Sequence, residues 1–178
     1  MDKQIFRKAS LSKLRALSWQ KRYVMDKQIN TMLYRLIKER QAKTVMLYVP
    51  LEIEVNVTPL IQRLRRTGIL VLVPFMEGKS FRLVKYRLPL KKKKYGVKEP
   101  KFSKQFRKRR IDLSIVPIVG TDRSLRRVGF GKGMYDRFFI QEKRWVDSVV
   151  FVQRVLCISE KNVTNDYDVG ADSVIVAR

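Results

Sequence analysis

Residues 44–73 read TVMLYVPLEIEVNVTPLIQRLRRTGILVLV and contain two short apolar runs on either side of a helix signal. The first run, residues 44–48, has the length of a strand and ends at a Val-Pro pair. Thr58 followed by proline predicts a helix start with threonine as its cap, and Gly68 predicts the helix end. Residues 69–73 form the second run. Strand, helix and strand in this order, with strands apolar on both faces, predict a largely parallel sheet covered by helices.

Two helices are predicted before this stretch. Residues 2–17 have apolar positions at loosely helical spacing, and Ser18 suits the N-cap of a second helix from Trp19 to about Glu39. The apolar residues expected to form the buried stripe of the second helix are Val24, Ile29, Leu33, Leu36 and Ile37. Such a stripe predicts that the helix packs on the rest of the fold through one face.

Further elements follow residue 73. Residues 81–86 alternate in polarity and are typical of an edge or antiparallel strand, and a helix is expected to begin near Gly133. Other strands are predicted at residues 111–119, 149–152 and 173–176. The whole pattern predicts one α/β domain over residues 1–178, a three-layer α/β/α, Rossmann-like fold with a mostly parallel central sheet.

The composition restricts the classes of function. Among 178 residues there is no histidine, which excludes Ser-His-Asp and Cys-His catalysis and zinc held by histidine. The one cysteine, Cys157, excludes an intrachain disulfide and a four-cysteine metal site and fits a cytoplasmic location. The apolar run at residues 69–76 is too short to span a bilayer, and the first residues lack a signal-peptide core, so no membrane partner is expected.

Positive charge points to an anionic partner. Lys and Arg number 40 against 16 Asp and Glu, which gives a formal net charge of +24. The densest part is residues 82–110, with 14 cationic side chains and one acidic residue, Glu99. Because like charges in blocks repel and do not pack, a solvated excursion at about residues 87–110 is favoured. The alternative is that this stretch binds polyphosphate or RNA.

Residues 127–137, RVGFGKGMYDR, carry the chemistry, in a segment where ligands of such sheets bind. Glycines at every second position let backbone N–H groups approach an anion closely. They are Gly129, Gly131 and Gly133. Arg127 and Lys132 add positive charge, and Asp136, one turn into the next helix, is a candidate Mg²⁺ ligand. The loop is neither a Walker A loop nor GxGxxG, because Met134 stands at the last glycine position.

Together with other segments, this loop resembles the 5-formyltetrahydrofolate cyclo-ligase family, also called methenyltetrahydrofolate synthetases. The resemblance spans almost the whole chain. Beside the glycine loop, the segments that carry it are KQIFR at 3–7, YVPLEIEV at 48–55, GVKEP at 96–100, DLSIVP at 112–117 and DVGAD at 168–172.

The resemblance implies a ligase of one-carbon metabolism that uses ATP and Mg²⁺. It would convert 5-formyltetrahydrofolate, with or without a polyglutamate tail, to 5,10-methenyltetrahydrofolate and release ADP and phosphate. The formyl oxygen would attack the γ-phosphorus, and N10 would then close the ring. Phosphoryl transfer depends chiefly on alignment and charge neutralisation, so a chain without histidine suits it.

Individual roles also follow from the resemblance. The residues implied to bind ATP are Lys3, Arg7, Arg127, Gly129, Gly131, Lys132, Gly133 and Tyr135. Arg127 and Lys132 would act in catalysis, and Asp136 and Asp168 would hold Mg²⁺. The residues implied to bind the folate are Val49, Glu54, Phe130 and Met134, with the Glu54 carboxylate accepting hydrogen bonds from the pterin ring. Phe75 is a further candidate wall of the folate pocket, with core packing as the favoured interpretation.

Four positions depart from the family's pattern. Tyr167 replaces a histidine, Met134 an aromatic residue, Leu125 a glycine and Thr121 a phenylalanine. Two other classes of function stay open at this point. One is a basic RNA- or ribosome-associated binding protein without catalysis, and the other is a sugar-phosphate isomerase of similar architecture. A further hypothesis is that the basic segment attracts the polyanionic tail of a polyglutamylated folate.

Overall fold

The computed structural model describes residues 2–93, 96–100 and 110–178. The helices are α1 Lys3–Arg15, α2 Trp19–Glu39, α3 Thr58–Arg66 and α4 Met134–Glu142, followed by a 3-10 turn at Lys143–Trp145. The strands are β1 Thr44–Met46, β2 Leu70–Glu77, β3 Ser80–Lys85, β4 Leu90–Lys92, β5 Lys98–Pro100, β6 Leu113–Pro117, β7 Gly120–Asp122, β8 Arg127–Val128, β9 Val149–Gln153, β10 Ile158–Ser159 and β11 Ser173–Val176.

Six strands form the central sheet, in the order β11-β9-β6-β1-β2-β3. All neighbours are parallel except β2 and β3, which are antiparallel. The predicted α/β class with a mostly parallel sheet is therefore confirmed, as is the antiparallel edge strand at residues 81–86. In the sheet, β2 lies on one side of β1, and β6, which follows later in the chain, lies on the other side. The strand order therefore reverses between β1 and β6, and sheets of this kind bind ligands at such a switch point.

The βαβ unit that the sequence predicts is present, with one correction at the start of its helix. Val45 pairs with Val71 in parallel register, and Gly68 ends the connection at a φ of +77°. Thr58 was expected to cap α3, but it is the first helical residue and its own N–H is bound by the Asn56 side chain at 3.1 Å. The N-cap residue is Val57, one residue before the predicted Thr58, because proline fits the second helical position as well as the first.

Apolar strand residues alternate between two cores, one on each face of the sheet. Val45 faces the core that α2 and α3 cover, whereas the next residue, Met46, faces the core that α4 covers. Helices on both faces confirm the three-layer prediction. In α2, Ile29, Leu33 and Ile37 are fully buried at four-residue spacing. The prediction for Val24 is wrong, since it is 54% exposed and lies about 140° around the helix from Ile29.

A small sheet holds α1 beside the carboxyl end of the central sheet. Its strands are ordered β10-β7-β8, and the Phe6 ring of α1 packs with Val128, Cys157 and Val163 against it. Gly120 permits this approach, because a Cβ at that position would lie 2.7 Å from the Phe6 ring. The amino end of α1 is thereby placed next to the glycine loop.

The basic stretch is folded in part. The strands β4 and β5 pair antiparallel, and Glu99 is buried with its carboxylate accepting the Met76 N–H at 2.8 Å. The prediction of a solvated excursion at about residues 87–110 is therefore wrong for Glu99 and Pro100, which are buried, because the Glu99 carboxylate anchors them to β2. Lys94, Tyr95 and residues 101–109 lie outside the described residues. Within the described ranges, no helix has the length and apolarity that crossing a membrane needs.

Candidate active site

A cavity of about 750 Å³ opens beyond the carboxyl ends of β1 and β2. Three parts of the chain enclose it: the segment after β1, the β2–β5 region, and the glycine loop with the first turn of α4. Its walls are Tyr48, Val49, Leu51, Glu54, Pro74, Met76, Gly78, Phe81, Lys93, Val97, Lys98, Glu99, Arg127, Phe130, Lys132, Gly133, Met134 and Tyr135. The lining is mainly apolar with a few converging charged groups, as is typical of small-molecule sites.

Arg127 lies at the centre of the charged groups. It is 5% exposed, its Nε donates to the Pro117 carbonyl at 3.0 Å, and its guanidinium lies 4.6 Å from the centre of the Tyr135 ring. Burial lowers the pKa of Arg127, while the negative charges of Asp136, Glu54 and Asp168 act to raise it. One buried arginine is thus within electrostatic reach of carboxylates on both sides of it.

The glycine loop turns tightly around Arg127 and leads into α4. A side chain at Gly129 would collide with the Arg127 guanidinium, so the absence of a Cβ leaves room for that group. Gly133 has a φ of +63° and is the N-cap residue of α4. Arg137 donates to the Lys132 carbonyl and, at 2.6 Å, to the Lys79 carbonyl, which fixes the loop against the β2–β3 turn.

Beside the cavity, α1 meets the glycine loop and the carboxyl-terminal tail at a contact we name the α1 junction. It consists of Lys3, Arg7, Gly129, Gly131 and Asp168. Lys3 Nζ lies 2.6 Å from both carboxylate oxygens of Asp168, and Arg7 Nε donates to the Gly129 carbonyl at 2.7 Å. A Cβ at Gly131 would lie 3.6 Å from the Arg7 guanidinium. The two cations are therefore concentrated next to the glycine backbone, a suitable place for a polyanion.

Two aspartates belong to the same neighbourhood. Asp136 Oδ1 accepts the N–H of Val169 at 3.1 Å, which places this carboxylate next to the residue that follows Asp168. Asp168 also accepts the Asn165 N–H at 2.7 Å. Among the described residues no group of three or more acidic, cysteine or histidine side chains is arranged to hold a metal. Two carboxylates nonetheless match the way Mg²⁺ binds, through one or two protein carboxylates with phosphate and water.

Asp122 fixes the tail that carries Asp168. Its Oδ2 accepts the N–H groups of Val163 and Thr164, both at 2.9 Å, and its Oδ1 accepts the Ser124 hydroxyl at 2.5 Å. Burial alone raises the pKa of Asp122, but these hydrogen bonds outweigh burial and hold the pKa well below its ordinary value. The ionised form is therefore the one that orders residues 163–168.

Glu54 lies in the wall of the cavity, as Arg127 does. Its Oε2 accepts the Leu51 N–H at 2.8 Å within the loop that follows β1. Burial raises the pKa of Glu54 to about 7, and Leu51 and the positive charge of Arg127 offset only part of this effect. The carboxyl group therefore changes ionisation in the neutral range, where its capacity to accept hydrogen bonds from a ligand also changes.

Arg154, which sequence reasoning did not single out, holds this loop in place. Its guanidinium is nearly buried and forms two bonds to the Asp26 carboxylate of α2, at 2.8 and 3.0 Å. It also donates to the carbonyls of Glu52 and Ile53, at 3.1 and 3.0 Å. These two carbonyls directly precede Glu54, so Arg154 positions the carboxylate without touching the cavity.

The profile of the 5-formyltetrahydrofolate cyclo-ligase family matches residues 1–176. The chain belongs to the 5-formyltetrahydrofolate cyclo-ligase family. A 5-formyltetrahydrofolate cyclo-ligase of Mycoplasma pneumoniae is 29% identical over 145 residues, 81% of this chain and 80% of the relative. A 5-formyltetrahydrofolate cyclo-ligase of Haemophilus influenzae is 30% identical over 140 residues, 73% of this chain and 74% of the relative.

Solved structures agree with this membership. A 5,10-methenyltetrahydrofolate synthetase from Mycoplasma pneumoniae superposes with a TM-score of 0.75 at 25% identity, covering 98% of both chains. The 5,10-methenyltetrahydrofolate synthetase of Aquifex aeolicus superposes with a TM-score of 0.80 at 28% identity, covering 99% of this chain and 90% of the other. The family resemblance seen in the sequence is confirmed.

The residues that the cyclo-ligase resemblance singled out fall into the two neighbourhoods. Those in the cavity wall are Val49, Glu54, Arg127, Phe130, Lys132, Gly133, Met134 and Tyr135. Those at or beside the α1 junction are Lys3, Arg7, Gly129, Gly131, Asp136 and Asp168. Phe75 is not in the cavity wall and packs against the core under α2 and α3, as interpreted from the sequence. Their ligands and roles stay predictions.

Two departures from the family's pattern have a visible structural consequence. Leu125, where the family commonly has glycine, takes a φ of +53°, a conformation that glycine adopts without strain. Thr121 is buried and its hydroxyl donates to the Arg126 carbonyl at 2.8 Å, a bond that phenylalanine cannot make. Neither residue contributes to the cavity wall.

Sequence reasoning missed most of the β2–β5 wall. Pro74, Met76 and Phe81 line the cavity, and so do Lys98 and Glu99 of the hairpin. The available signal was Glu99, the one acidic residue in the basic stretch, which lies in the GVKEP segment that resembles the family. An isolated carboxylate among many cations indicates a specific partner, here the Met76 N–H.

Proposed function

We propose that this chain is a 5-formyltetrahydrofolate cyclo-ligase, an enzyme that uses ATP to convert 5-formyltetrahydrofolate to 5,10-methenyltetrahydrofolate. The observation that carries the proposal is the family match over residues 1–176. The cavity of about 750 Å³ is large enough for a substrate of this size and has charged groups at its inner end. The alternative of a binding protein without catalysis does not account for a buried arginine and the Glu54 carboxyl group in the wall of one such cavity.

ATP is proposed to bind with its phosphates at the α1 junction and the glycine loop. Arg7 of α1 donates to the Gly129 carbonyl of this loop, and Lys3 of α1 pairs with Asp168. Arg127 precedes the three glycines, and Lys132 stands between Gly131 and Gly133. A phosphate group that enters would compete with Asp168 for the Lys3 ammonium. Lys3 would then pair with Asp168 in the empty site and with phosphate when ATP is bound. Tyr135 would hold the Arg127 guanidinium in plane through their stacking contact.

Mg²⁺ is proposed to be held by Asp136 and Asp168. Both side chains offer carboxylate oxygens, and the Val169 N–H, next to Asp168, donates a hydrogen bond to Asp136. When bound, the ion would neutralise charge on the ATP phosphates. The protein's own part is to present these two carboxylates next to Arg7 and the glycine backbone.

The folate is proposed to occupy the cavity, with Val49, Phe130 and Met134 as apolar walls. Glu54 in its ionised form would accept hydrogen bonds from the N–H edge of the pterin ring. Arg127, between Glu54 and the α1 junction, would lie where the formyl oxygen meets the γ-phosphate.

In this reaction the chain supplies alignment and positive charge rather than a nucleophile. The formyl oxygen attacks the γ-phosphorus and ADP leaves; N10 then attacks the formyl carbon, loses its proton, and phosphate leaves. Negative charge develops on the transferring group, and Arg127 and Lys132 are the cavity cations proposed to stabilise it.

The experiment is a coupled measurement on the purified protein with ATP, Mg²⁺ and 5-formyltetrahydrofolate. We expect the absorbance of the methenyl product to rise in step with ADP release, and no ADP release when the folate is omitted. Lys132→Ala should raise the KM for ATP more than the KM for the folate. Absence of the methenyl product at saturating substrates would overturn the proposed function, and an unchanged ATP KM in the variant would remove Lys132 from the phosphate site.

The domain organisation and the cellular location of the protein are also proposals. Residues 1–178 are proposed to form one α/β domain, because the family profile runs through nearly all of them. A cytoplasmic location is consistent with one buried cysteine and with a reduced-folate substrate.

A further inference from the structure

Positive charge also gathers at the end of the central sheet opposite the cavity. The parallel strands begin at this end, and the antiparallel β3 finishes there, since Lys85 pairs with Leu72 near the start of β2. Nine exposed lysines and arginines flank the strand ends, and we name them the basic edge: Arg40, Lys43, Arg65, Arg66, Lys85, Arg87, Arg110, Lys143 and Arg144.

The sheet register, not the chain, brings these residues together. They precede β1, β2, β6 and β9 and follow β3, and these five strands are neighbours in the order β9-β6-β1-β2-β3. At a strand spacing of about 4.8 Å, the row extends over about 19 Å. The basic edge is therefore an extended line of charge that no single run of the sequence reveals.

Nearby carboxylates are mostly occupied by local contacts. Asp112 accepts the N–H groups of Lys43 and Thr44, at 2.7 and 2.8 Å. Asp147 pairs with Arg110, and Asp172 accepts the Ser148 hydroxyl at 2.6 Å. With Glu39 and Glu142, five acidic residues lie near these strand ends against nine cations, which leaves an excess of about four positive charges. The charge of Asp172 acts on Arg40 and Lys143.

Four members of the basic edge face solvent without a carboxylate partner in the described ranges. They are Lys43, Arg66, Lys85 and Arg87. They come from the ends of β1, β2 and β3, three adjacent strands. Their mutual repulsion costs free energy in the folded state, and an anion lying along them would remove that cost.

The shape and composition of the row fit a linear polyanion. Six of the nine residues are arginine, whose planar group binds phosphate through two hydrogen bonds. Among large hydrophobic side chains exposed in the described part, Leu88 adjoins Arg87 and Ile140 lies three residues before Lys143, so a lipid surface would meet few apolar groups along a row of nine cations. We propose that the basic edge binds the phosphate backbone of a nucleic acid, without reading its bases.

This binding would be separate from the enzymatic reaction. No residue of the basic edge lines the cavity or belongs to the α1 junction, and the sheet lies between the two. A protein bound to nucleic acid through this edge would keep its cavity open, so turnover should not change. The proposal consequently stands or falls independently of the proposed function.

The test compares two variants that each lower the formal net charge of +24 by four. The edge variant carries Lys43→Gln, Arg66→Gln, Lys85→Gln and Arg87→Gln. The control variant carries Arg15→Gln, Lys21→Gln, Lys27→Gln and Lys161→Gln, four exposed cations away from the edge. The probe is a fluorescent 20-nucleotide oligouridylate, with anisotropy measured from 50 to 300 mM salt.

We expect the edge variant to bind the RNA at least tenfold more weakly, with the slope of log K against log salt lowered by up to about 3. The control variant should lose much less, and methenyl formation should be unchanged in both. Equal losses in the two variants would overturn the proposal, since total charge would then suffice. Tighter binding to vesicles of phosphatidylserine and phosphatidylcholine than to RNA, lost in the edge variant, would also overturn it and identify a lipid surface instead.

Discussion

The α1 junction and the cavity are built from different kinds of side chains. The α1 junction needs the first turns of α1, the glycine loop and the tail, and its contacts are short hydrogen bonds and ion pairs. The cavity is enclosed by residues from positions 48 to 135, most of them apolar. Binding of phosphates therefore depends on particular charged side chains, whereas folate binding depends on the shape that several elements make together. Arg127 lines the cavity and is two residues before Gly129 of the α1 junction.

The largest effect is expected where both regions meet. Arg127→Met should lower kcat/KM about 10³-fold, because it removes a buried charge near the proposed phosphoryl transfer. The measurement is steady-state methenyl formation, with melting temperature recorded to check folding. Arg126→Met is the matched control, because its half-exposed side chain pairs with the exposed Asp166. Similar losses in both variants would contradict the central place of Arg127.

The next effect tests the α1 junction alone. Asp168→Asn should lower kcat about 10²-fold and shift half-maximal activity to higher Mg²⁺ concentration, because one of two proposed ligands loses its charge. The KM for the folate should change little. The matched control is Asp166→Asn, two residues away and fully exposed. An Mg²⁺ dependence that stays unchanged would remove Asp168 from the metal site.

A change in the cavity should act on the folate. Glu54→Gln is expected to raise the KM for 5-formyltetrahydrofolate about 30-fold at pH 8, because a charged acceptor is lost, while the KM for ATP stays the same. In the unmodified chain the same KM should fall as pH rises from 6 to 8, since Glu54 ionises around its pKa of about 7. Glu52→Gln is the exposed control. A pH dependence that survives in Glu54→Gln would contradict this assignment.

The raised pKa of Glu54 also predicts that its ionisation, although it favours folate binding, lowers the stability of the fold. Folding raises the pKa of Glu54 above its unfolded value, so the ionised carboxylate destabilises the unliganded fold once pH exceeds the unfolded pKa, and fully above about 7. Glu54→Gln should therefore raise the melting temperature at pH 8 and change it little at pH 4.5. A lower melting temperature of the variant at pH 8 would show that Glu54 is not desolvated.

A smaller effect on the folate is expected from outside the cavity. Arg154→Met frees the loop before Glu54 and should raise the folate KM about tenfold, with the ATP KM unchanged. Arg154→Lys should recover part of this loss, since one donor can still reach the Glu52 or Ile53 carbonyl. Because breaking a buried pair also destabilises the fold, both variants are assayed below their melting temperatures. Equal increases in both KM values would indicate a general loss of structure.

The smallest effect is expected from Phe75, which is next to a residue of the cavity wall but does not line the cavity. Phe75→Leu should change either KM less than about twofold, because Phe75 packs in the core and a similar apolar volume is retained. Met76→Ala, at the next residue and in the cavity wall, should raise the folate KM several-fold. A larger folate effect from Phe75 than from Met76 would reverse the assignment of the two faces of β2.

The sequence alone predicted the four α-helices, the six strands of the central sheet and the family, but not the short strands of the two small sheets. Local periodicity and Ser18 predicted α2 from Trp19 to Glu39 as found, because helix caps and a stripe at four-residue spacing act within a few turns. Closely spaced glycines and cations in one segment also predicted an anion site at the glycine loop, a role that stays a prediction. Val24 was wrongly predicted to be buried, because the spacing of apolar residues does not say how wide the covered face is.

Only the tertiary structure decided which groups share an environment. Glu54 and Arg127 are 73 positions apart, and the raised pKa of Glu54 arises from walls that β2, the β4–β5 hairpin and α4 supply. Arg154 and the basic edge depend likewise on strand order and register, which collect residues that are distant in the chain. Burial and long-range electrostatics are sums over such neighbours, so no window of the sequence contains them.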